Sequence, residues 1–151
     1  MADALDSLNG LIIPLAGQAL LLPNVAVAEL VGYRLGQAAT GAPEWFVGWV
    51  NWRDQRVPLI DPALLLGEPG DSVTPHMLIL NAVGEHAGLR FFAMRIAGIP
   101  RSKRVLRGEI EIAGTPTEYV SQAVRLADEE QTLLIPDLAS IERELAQLAA
   151  Q

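Results

Sequence analysis

The sequence has no cysteine, few aromatic residues and few charged residues, and each shortage narrows what the chain can be. Without cysteine it forms neither disulfide bonds nor thiolate zinc sites, which is compatible with a reducing compartment. Aromatic residues make up 5% of the chain, so leucine, isoleucine, valine and alanine must supply most of the core. Half of the 151 residues are hydrophobic and 19% are charged, which predicts one ordered domain rather than a disordered chain.

Basic residues are also in the minority. Eleven lysines and arginines against eighteen aspartates and glutamates give a formal net charge of -7. Nucleic acids bind through clustered cations that neutralise phosphates, and anionic membrane surfaces attract the same clusters. We therefore expect neither nucleic acid nor a membrane surface as a partner.

One long stretch, from Ser7 to Ala28, has no charge and approaches the length of a membrane span. Pro14 and Pro23 interrupt it, and its apolar pieces have the length of strands. The preceding residues include Asp3 and Asp6 and no basic residue, which is the wrong sign for a secretory signal. The pattern predicts a hairpin in a cytoplasmic protein, with no direct membrane insertion.

Residues suited to catalysis or metal binding are scarce. His76 and His86 are the only histidines; neither stands in a zinc-binding spacing, and His86 is expected in a turn. No glycine-rich phosphate loop with its lysine and no G-x-S-x-G elbow is present. Asp61 and Asp137 could form a carboxylate pair, but each precedes a predicted helix and is better explained as an N-cap. We expect no enzymatic activity, no metal site and no cofactor.

Short strands dominate the rest of the pattern. Four hairpins are predicted, over 11–22, 45–61, 77–96 (with a turn at 83–86) and 120–135. Pro62 to Leu66 is expected to form a helical turn, and apolar residues at helical spacing after Asp137 predict a helix over 137–150. Each half of the chain ends in an aspartate and a helix, which favours two small β-barrels around one core.

The hairpin from Gly48 to Asp61 is the first candidate for a functional surface. Tryptophan and arginine are the residue types most often found as interface anchors, because they combine large buried area with directed polar contacts. Alternation along a strand places Trp45 and Trp49 on one face and Trp52 on the other. We assign Trp52 to the core, and Trp49 with Arg53 to a partner-binding surface.

Three short motifs in the first half match the spacing of a known family. They are Val25, Val27 and Glu29-Leu30; Pro43, Gly48, Asn51 and Arg53; and Pro58-Leu59-Ile60-Asp61. On these residues the chain, from Leu11 to Leu148, resembles the CheW-like chemotaxis adaptors (coupling proteins) as a divergent member. Gly48 is expected to allow a close approach of strands, and Asn51 to hydrogen-bond to the backbone of its own turn.

The resemblance implies a mainly β fold with two small five-stranded SH3-like β-barrels that share a hydrophobic core, and a C-terminal α-helix. Residues 1–151 would form a single CheW-like domain. The first barrel would cover about 18–75, the second about 10–15 and 76–136, and the helix 137–150.

The resemblance also implies a scaffold without catalytic activity. Such proteins link the cytoplasmic tips of chemoreceptors to the regulatory domain of a CheA-type histidine kinase. The output would be chemotaxis or, for a divergent member, twitching motility by type IV pili. In the family, the positions matching Val27, Glu29, Gly48 and Arg53 lie on surfaces that meet these partners. If Glu29 and Arg53 act together, their side chains must lie near each other.

Two departures from the family pattern affect these expectations. Asp54 stands where the family usually has glycine, which predicts a different turn and an arginine held by a neighbouring carboxylate. Met94-Arg95 stands where a strand of the second half usually has Val-Asp, which reverses a charge on the expected partner surface of that half.

Two other functions stay open on the sequence. The same fold could serve a small-ligand-binding protein or an enzyme, with a concave pocket of polar groups between the barrels. The chain could also be a scaffold that associates with itself through its tryptophan face. A region between the barrels that is filled by Leu, Ile and Val would exclude the pocket.

Overall fold

The structure, a computed structural model, describes residues 7–15, 17–67, 76–86, 89–126 and 131–149. In these ranges the strands are β1 (Ser7–Leu15), β2 (Gln18–Pro23), β3 (Val27–Gly32), β4 (Gln37–Ala38), β5 (Phe46–Trp52), β6 (Gln55–Ile60), β7 (His76–His86), β8 (Leu89–Ile96), β9 (Arg101–Leu106), β10 (Ile110–Ile112), β11 (Val120–Leu126) and β12 (Leu133–Pro136). The helices are α1 (Pro62–Leu65) and α2 (Leu138–Ala149), with 3-10 turns at Asn24–Ala26 and Arg107–Glu109. The predicted mainly β class with a C-terminal helix is confirmed.

The strands form two six-stranded sheets. The first sheet has the order β10-β11-β12-β2-β1-β9, and the second has the order β3-β7-β8-β6-β5-β4. Neighbouring strands are antiparallel except for β12 with β2 and β6 with β8, which are parallel. Each sheet takes strands from both halves of the chain, because β1 and β2 join β9 to β12 while β7 and β8 join β3 to β6. Hydrogen-bonded sheets thus cross the division between 18–75 and 76–136. The predicted limits of the two barrels stay a prediction.

A central cluster of apolar side chains joins the two sheets and both helices. Its most deeply buried members include Ile13 and Leu20 of the first sheet, Leu80 and Phe92 of the second, and Leu145 of α2. Full burial of such a side chain stabilises a fold by roughly 1.5–3 kcal/mol. The region shared by the two halves is therefore filled by apolar side chains.

Each sheet also has a cluster of its own on its opposite face. The first-sheet cluster includes Ile12 and Leu21, and the second-sheet cluster includes Val50, Trp52 and Ile79. Successive residues of a strand point to opposite faces, so the neighbours Ile12 and Ile13 belong to different clusters. The continuous apolar runs of the sequence follow from this burial on both faces.

The charge-free stretch forms the β1–β2 hairpin, with Leu11 opposite Leu22 and Leu15 opposite Gln18. Within the described ranges no helix is long and apolar enough to cross a membrane. β7 runs to His86, so the turn predicted at 83–86 is wrong. The pairing of β7 with β8 shifts register between Asn81 and His86. The side chain of His86 and the residues between β11 and β12, 127–130, lie outside the described part of the chain.

Both predicted N-caps are confirmed. At α1, Oδ1 of Asp61 accepts hydrogen bonds from the backbone N–H groups of Ala63 at 2.9 Å and Leu64 at 3.2 Å. At α2, Oδ1 of Asp137 accepts from the N–H of Ser140 at 3.1 Å, and the Ser140 hydroxyl donates to Oδ2 at 2.8 Å. The first turns of both helices therefore have acceptors for backbone donors that have no partner within the helix.

Candidate functional site

The β5–β6 hairpin carries Arg53 at its tip. Trp52 pairs with Gln55, which leaves Arg53 and Asp54 as a two-residue turn with φ angles of 48° and 61°. Positive φ at both central residues is typical of a type I′ turn, whose twist matches that of the flanking strands. Aspartate tolerates this region better than most residues, so the turn forms without glycine. Asn51 lies within β5 opposite Arg56, so the expectation that it shapes the turn is wrong.

Glu29 of β3 accepts two hydrogen bonds from the end of this hairpin. Its Oε1 accepts from the indole N–H of Trp52 at 2.9 Å and from Nη2 of Arg53 at 3.2 Å. The predicted proximity of Glu29 and Arg53 is confirmed, and Glu29 is the carboxylate that holds the arginine. We call Glu29, Trp52 and Arg53 the Glu29 cluster.

Trp52 is the buried member of the Glu29 cluster and holds the other two side chains in place. It is 8% exposed, as the assignment to the core predicted, and its ring meets Phe91 edge-on with 4.8 Å between centroids. The guanidinium carbon of Arg53 lies 4.8 Å from the Trp52 ring centroid. Sequence reasoning missed the contact of Trp52 with Glu29, although a buried indole N–H usually has an acceptor. The ring therefore orients both charged side chains.

The Glu29 cluster remains open to solvent above that ring. The side chains of Glu29 and Arg53 are 40% and 68% exposed. An ion pair this exposed contributes only about 0–1 kcal/mol to folding. A guanidinium has five N–H donors, so a partner protein can bind to Arg53 without displacing Glu29. The arrangement therefore presents a charged hydrogen-bond donor, Arg53, to the solvent.

A bulge in β3 separates Val27 from this cluster. Val27 pairs with Leu80, whereas Glu29 pairs with Ile79, with a register shift between them. Leu80 belongs to the central cluster and Ile79 to the second-sheet cluster. The extra residue, Ala28, therefore places Val27 and Glu29 on opposite faces of the sheet. Two predicted partner-binding residues that are two apart in sequence do not share a surface.

Gly48 of β5 is buried where this strand pairs with β4, opposite Ala38. A Cβ at this position would collide with the backbone oxygen of Gln37 and would lie 2.9 Å from the Cα of Ala38. This agrees with the expected close approach of strands, which only glycine permits here. Gly48 is therefore covered by β4, and its assignment to a partner-binding surface stays a prediction.

Trp49 lies on the face opposite Trp52. It packs against the central cluster, with its ring centroid 5.6 Å from that of Phe46. The guanidinium carbon of Arg56 lies 3.9 Å from the Trp49 centroid, and Nη2 of Arg56 donates to Oε1 of Gln37 at 3.0 Å. Sequence reasoning missed Arg56, which is a diagonal neighbour of Trp49 across the antiparallel pair. Trp49 is therefore half-buried beneath an arginine and apart from the Glu29 cluster.

Arg95 forms an internal ion pair instead of a charge on a partner surface. Its Nη2 donates to Oδ2 of Asp61 at 2.5 Å, and its guanidinium carbon lies 5.9 Å from the Tyr33 ring centroid. Burial disfavours the charged guanidinium, but hydrogen bonds to Asp61 and Tyr33 outweigh it, so the pKa of Arg95 is raised above its ordinary value. The reversed charge at this position is compensated within the protein.

The comparisons with known proteins agree with this fold. The family profile described as the CheW-like domain matches residues 9–145. The crystal structure of scaffolding protein TtCheW from Thermoanaerobacter tengcongensis superposes with a TM-score of 0.70 at 18% identity, over 86% of this chain and 88% of that chain. This likeness confirms the predicted fold of two SH3-like β-barrels. No curated protein matches the sequence. Since the profile covers nearly the whole length, the chain belongs to the CheW-like domain family.

Proposed function

We propose that the protein is a non-catalytic adaptor that couples chemoreceptors to a CheA-type histidine kinase. The Glu29 cluster carries this proposal, because it joins two residues of the family pattern, 24 positions apart, in one exposed and oriented ion pair. Membership of the CheW-like family supports a scaffold role in chemotaxis. The partners would be the kinase regulatory domain and the cytoplasmic tips of receptors, which places the protein in the cytoplasm.

Arg53 is the residue that we expect to contribute most to partner binding. It stands at the hairpin tip over the Trp52 ring, with 68% of its side chain exposed. The side chain of an arginine held in this way is already restricted before a partner binds. Binding therefore costs little further conformational entropy. Its free donors suit a carboxylate or carbonyl group on the kinase or on the receptor.

Isothermal titration calorimetry tests the proposal with a kinase regulatory domain and, separately, with a receptor tip fragment. We expect wild type to bind at least one of them at micromolar concentrations, and Arg53→Ala to bind at least about tenfold more weakly. Arg125→Ala is the matched control, because Arg125 is an exposed arginine on β11 of the other sheet. Its affinity should equal that of wild type.

Two outcomes would count against different parts of the proposal. If neither fragment binds at tens of micromolar, the adaptor function is wrong for this chain. If folded Arg53→Ala binds as tightly as wild type, the adaptor function stands and the assignment of Arg53 is wrong. A pull-down from native cells, with identification of the kinase that is recovered, separates chemotaxis from type IV pilus twitching motility.

The two alternative functions have less support. A ligand pocket between the barrels would occupy the region that the central apolar cluster fills. Among the described residues, no group of three or more histidines, aspartates or glutamates is placed to hold a metal ion. Self-association through the tryptophan face would require Trp49 to be available, yet Arg56 covers its ring. Light scattering across a range of protein concentrations tests that alternative.

A further inference from the structure

The second sheet opens between β6 and β8. These parallel neighbours pair at only two positions, Leu59 with Ala93 and Ile60 with Met94. The same register, continued toward the beginning of each strand, would place Arg56 opposite Arg90. The strands do not pair there, and a cavity of about 330 Å³ lies at this place, lined by both strands, by Trp49 and by Ala146 and Ala149 of α2.

The sequence explains why the strands separate. Like charges directly opposite each other destabilise a pair of strands, so Arg56 and Arg90 oppose closure. Pro58, which precedes the first paired position, has no N–H group to donate to a neighbouring strand. The gap is therefore encoded by the residues along its two sides.

The gap combines positive charge with an aromatic lining. Arg56 is held over Trp49 and by Gln37, while Arg90 is exposed on β8. In the part of the chain that the structure describes, neither guanidinium pairs with a carboxylate. Phe91 provides ring surface in the same cavity, which Trp49 also lines from beneath Arg56. Two arginines without a carboxylate partner among the described side chains stand out in a protein whose net charge is -7.

The gap also presents strand edges. Each strand is hydrogen-bonded along the edge that faces away from the gap, β6 to β5 and β8 to β7. Between Gln55 and Pro58, and between Leu89 and Phe91, the inner edges have no neighbouring strand. An extended peptide can pair with such an edge by adding a strand to the sheet. A simple anion would use the arginines but not these edges or the rings.

We propose that this gap binds an extended acidic segment of a partner protein. The segment pairs through its backbone with the inner edge of β6 or β8. Its aspartate or glutamate side chains meet Arg56 and Arg90, and an intervening apolar side chain, which points to the opposite face, lies against Phe91. The site shares no residue with the Glu29 cluster, so it is a second contact that does not depend on the proposed adaptor function.

The probe is the blocked peptide acetyl-Glu-Val-Glu-Val-Glu-amide, titrated into ¹⁵N-labelled protein and followed by NMR. We expect the amide signals of Val57 and Phe91 to shift during the titration. Arg90→Gln should weaken binding about tenfold, because it removes one charged hydrogen bond. Arg125→Gln, at an exposed arginine on the other sheet, should leave the affinity unchanged.

Three further probes determine whether charge and backbone both contribute. The peptide with lysine in place of glutamate should not bind, and the peptide N-methylated at every residue should lose most of its affinity. Equal binding of the lysine peptide would overturn the charge recognition, and equal binding of the methylated peptide would overturn the strand pairing. Inorganic phosphate that shifts the same signals with equal affinity would reduce the site to a simple anion site. An absence of shifts with the acidic peptide at millimolar concentration would overturn the proposal as a whole.

Discussion

Two arginine–carboxylate pairs of this protein have opposite surroundings. Arg53 and Glu29 meet at the hairpin tip with side chains 68% and 40% exposed, whereas Arg95 and Asp61 meet with side chains 20% and 5% exposed. In each pair an Nη2 atom donates to a carboxylate oxygen far away in sequence. Water can replace either partner in the first pair but has little access to the second.

This difference separates a pair that should contribute little to folding from a pair that should contribute more. An exposed pair gives little stability because water already solvates both charges. A buried pair costs desolvation when it forms, and the removal of one partner leaves a charge without compensation. The effect of each arginine on stability should therefore differ although the chemical groups are the same.

The largest expected effect comes from Arg95→Met. The variant should lose about 3 kcal/mol of unfolding free energy, because Asp61 keeps a buried carboxylate without its guanidinium. Urea denaturation followed by circular dichroism measures the loss. Adding Asp61→Asn in the same chain keeps a cap for α1 and removes the charge, so the double variant should be more stable than Arg95→Met alone. A loss below about 1 kcal/mol for Arg95→Met would show that water reaches this pair.

A smaller effect is expected at Asp137, which caps α2 as Asp61 caps α1 but has no buried arginine. Asp137→Ala should cost about 1 kcal/mol at neutral pH, the usual effect of losing an N-cap. Because Asp137 is a cap without a buried ion pair, its variant measures the effect of a cap alone. Comparison with Asp61 then separates the effect of capping α1 from the effect of the ion pair with Arg95. Urea denaturation at neutral pH measures this difference, and a cost as large as that of Arg95→Met would contradict it.

The Asp137 cap should also depend on pH. The Ser140 hydroxyl and then the Ser140 backbone N–H lower the pKa of Asp137 below its ordinary value. A carboxyl with a lowered pKa in the folded state stabilises the fold above its unfolded pKa, and this stabilisation is lost as pH falls through the folded pKa. Unfolding free energies of wild type and Asp137→Asn, measured from neutral to acidic pH, should converge in acid. A constant difference would contradict the assignment.

The smallest effect on stability is expected for Arg53→Ala. Its unfolding free energy should stay within about 0.5 kcal/mol of wild type, because the arginine is exposed and Glu29 keeps its hydrogen bond from Trp52. Thermal and urea unfolding measure this together with the calorimetry proposed above. A loss comparable to that of Arg95→Met would show that the exposed pair supports the fold.

Local patterns predicted many of the elements. Apolar runs bounded by turns identified the β1–β2 and β5–β6 hairpins, and aspartates before apolar helical spacing identified both caps. The proximity of Glu29 and Arg53 came from the resemblance, since nothing in either segment alone brings β3 to the hairpin tip. The hairpins and caps depend on neighbouring residues, and the Glu29–Arg53 contact depends on a family pattern. Both kinds of feature can be recognised in a sequence.

Tertiary pairing produced the features that the sequence did not reveal. The residues of 83–86 favour a turn, but β7 continues through them to His86, which pairs with Leu89 of β8. The bulge at Ala28 follows from the register between β3 and β7, and it decides which face Val27 and Glu29 occupy. Arg95 meets Asp61 because β6 and β8 are parallel neighbours, a contact between residues 34 positions apart that neither segment encodes alone.

The exchange of strands between the sheets has a consequence for how the chain folds. The β1–β2 hairpin is synthesised first, but its neighbours β9 and β12 come from the second half. Contacts between such distant segments form slowly, because a long loop must close before they stabilise anything. During synthesis the first half therefore lacks neighbours for β1 and β2 that only the second half supplies, and we expect the first sheet to form only after the second half has been made.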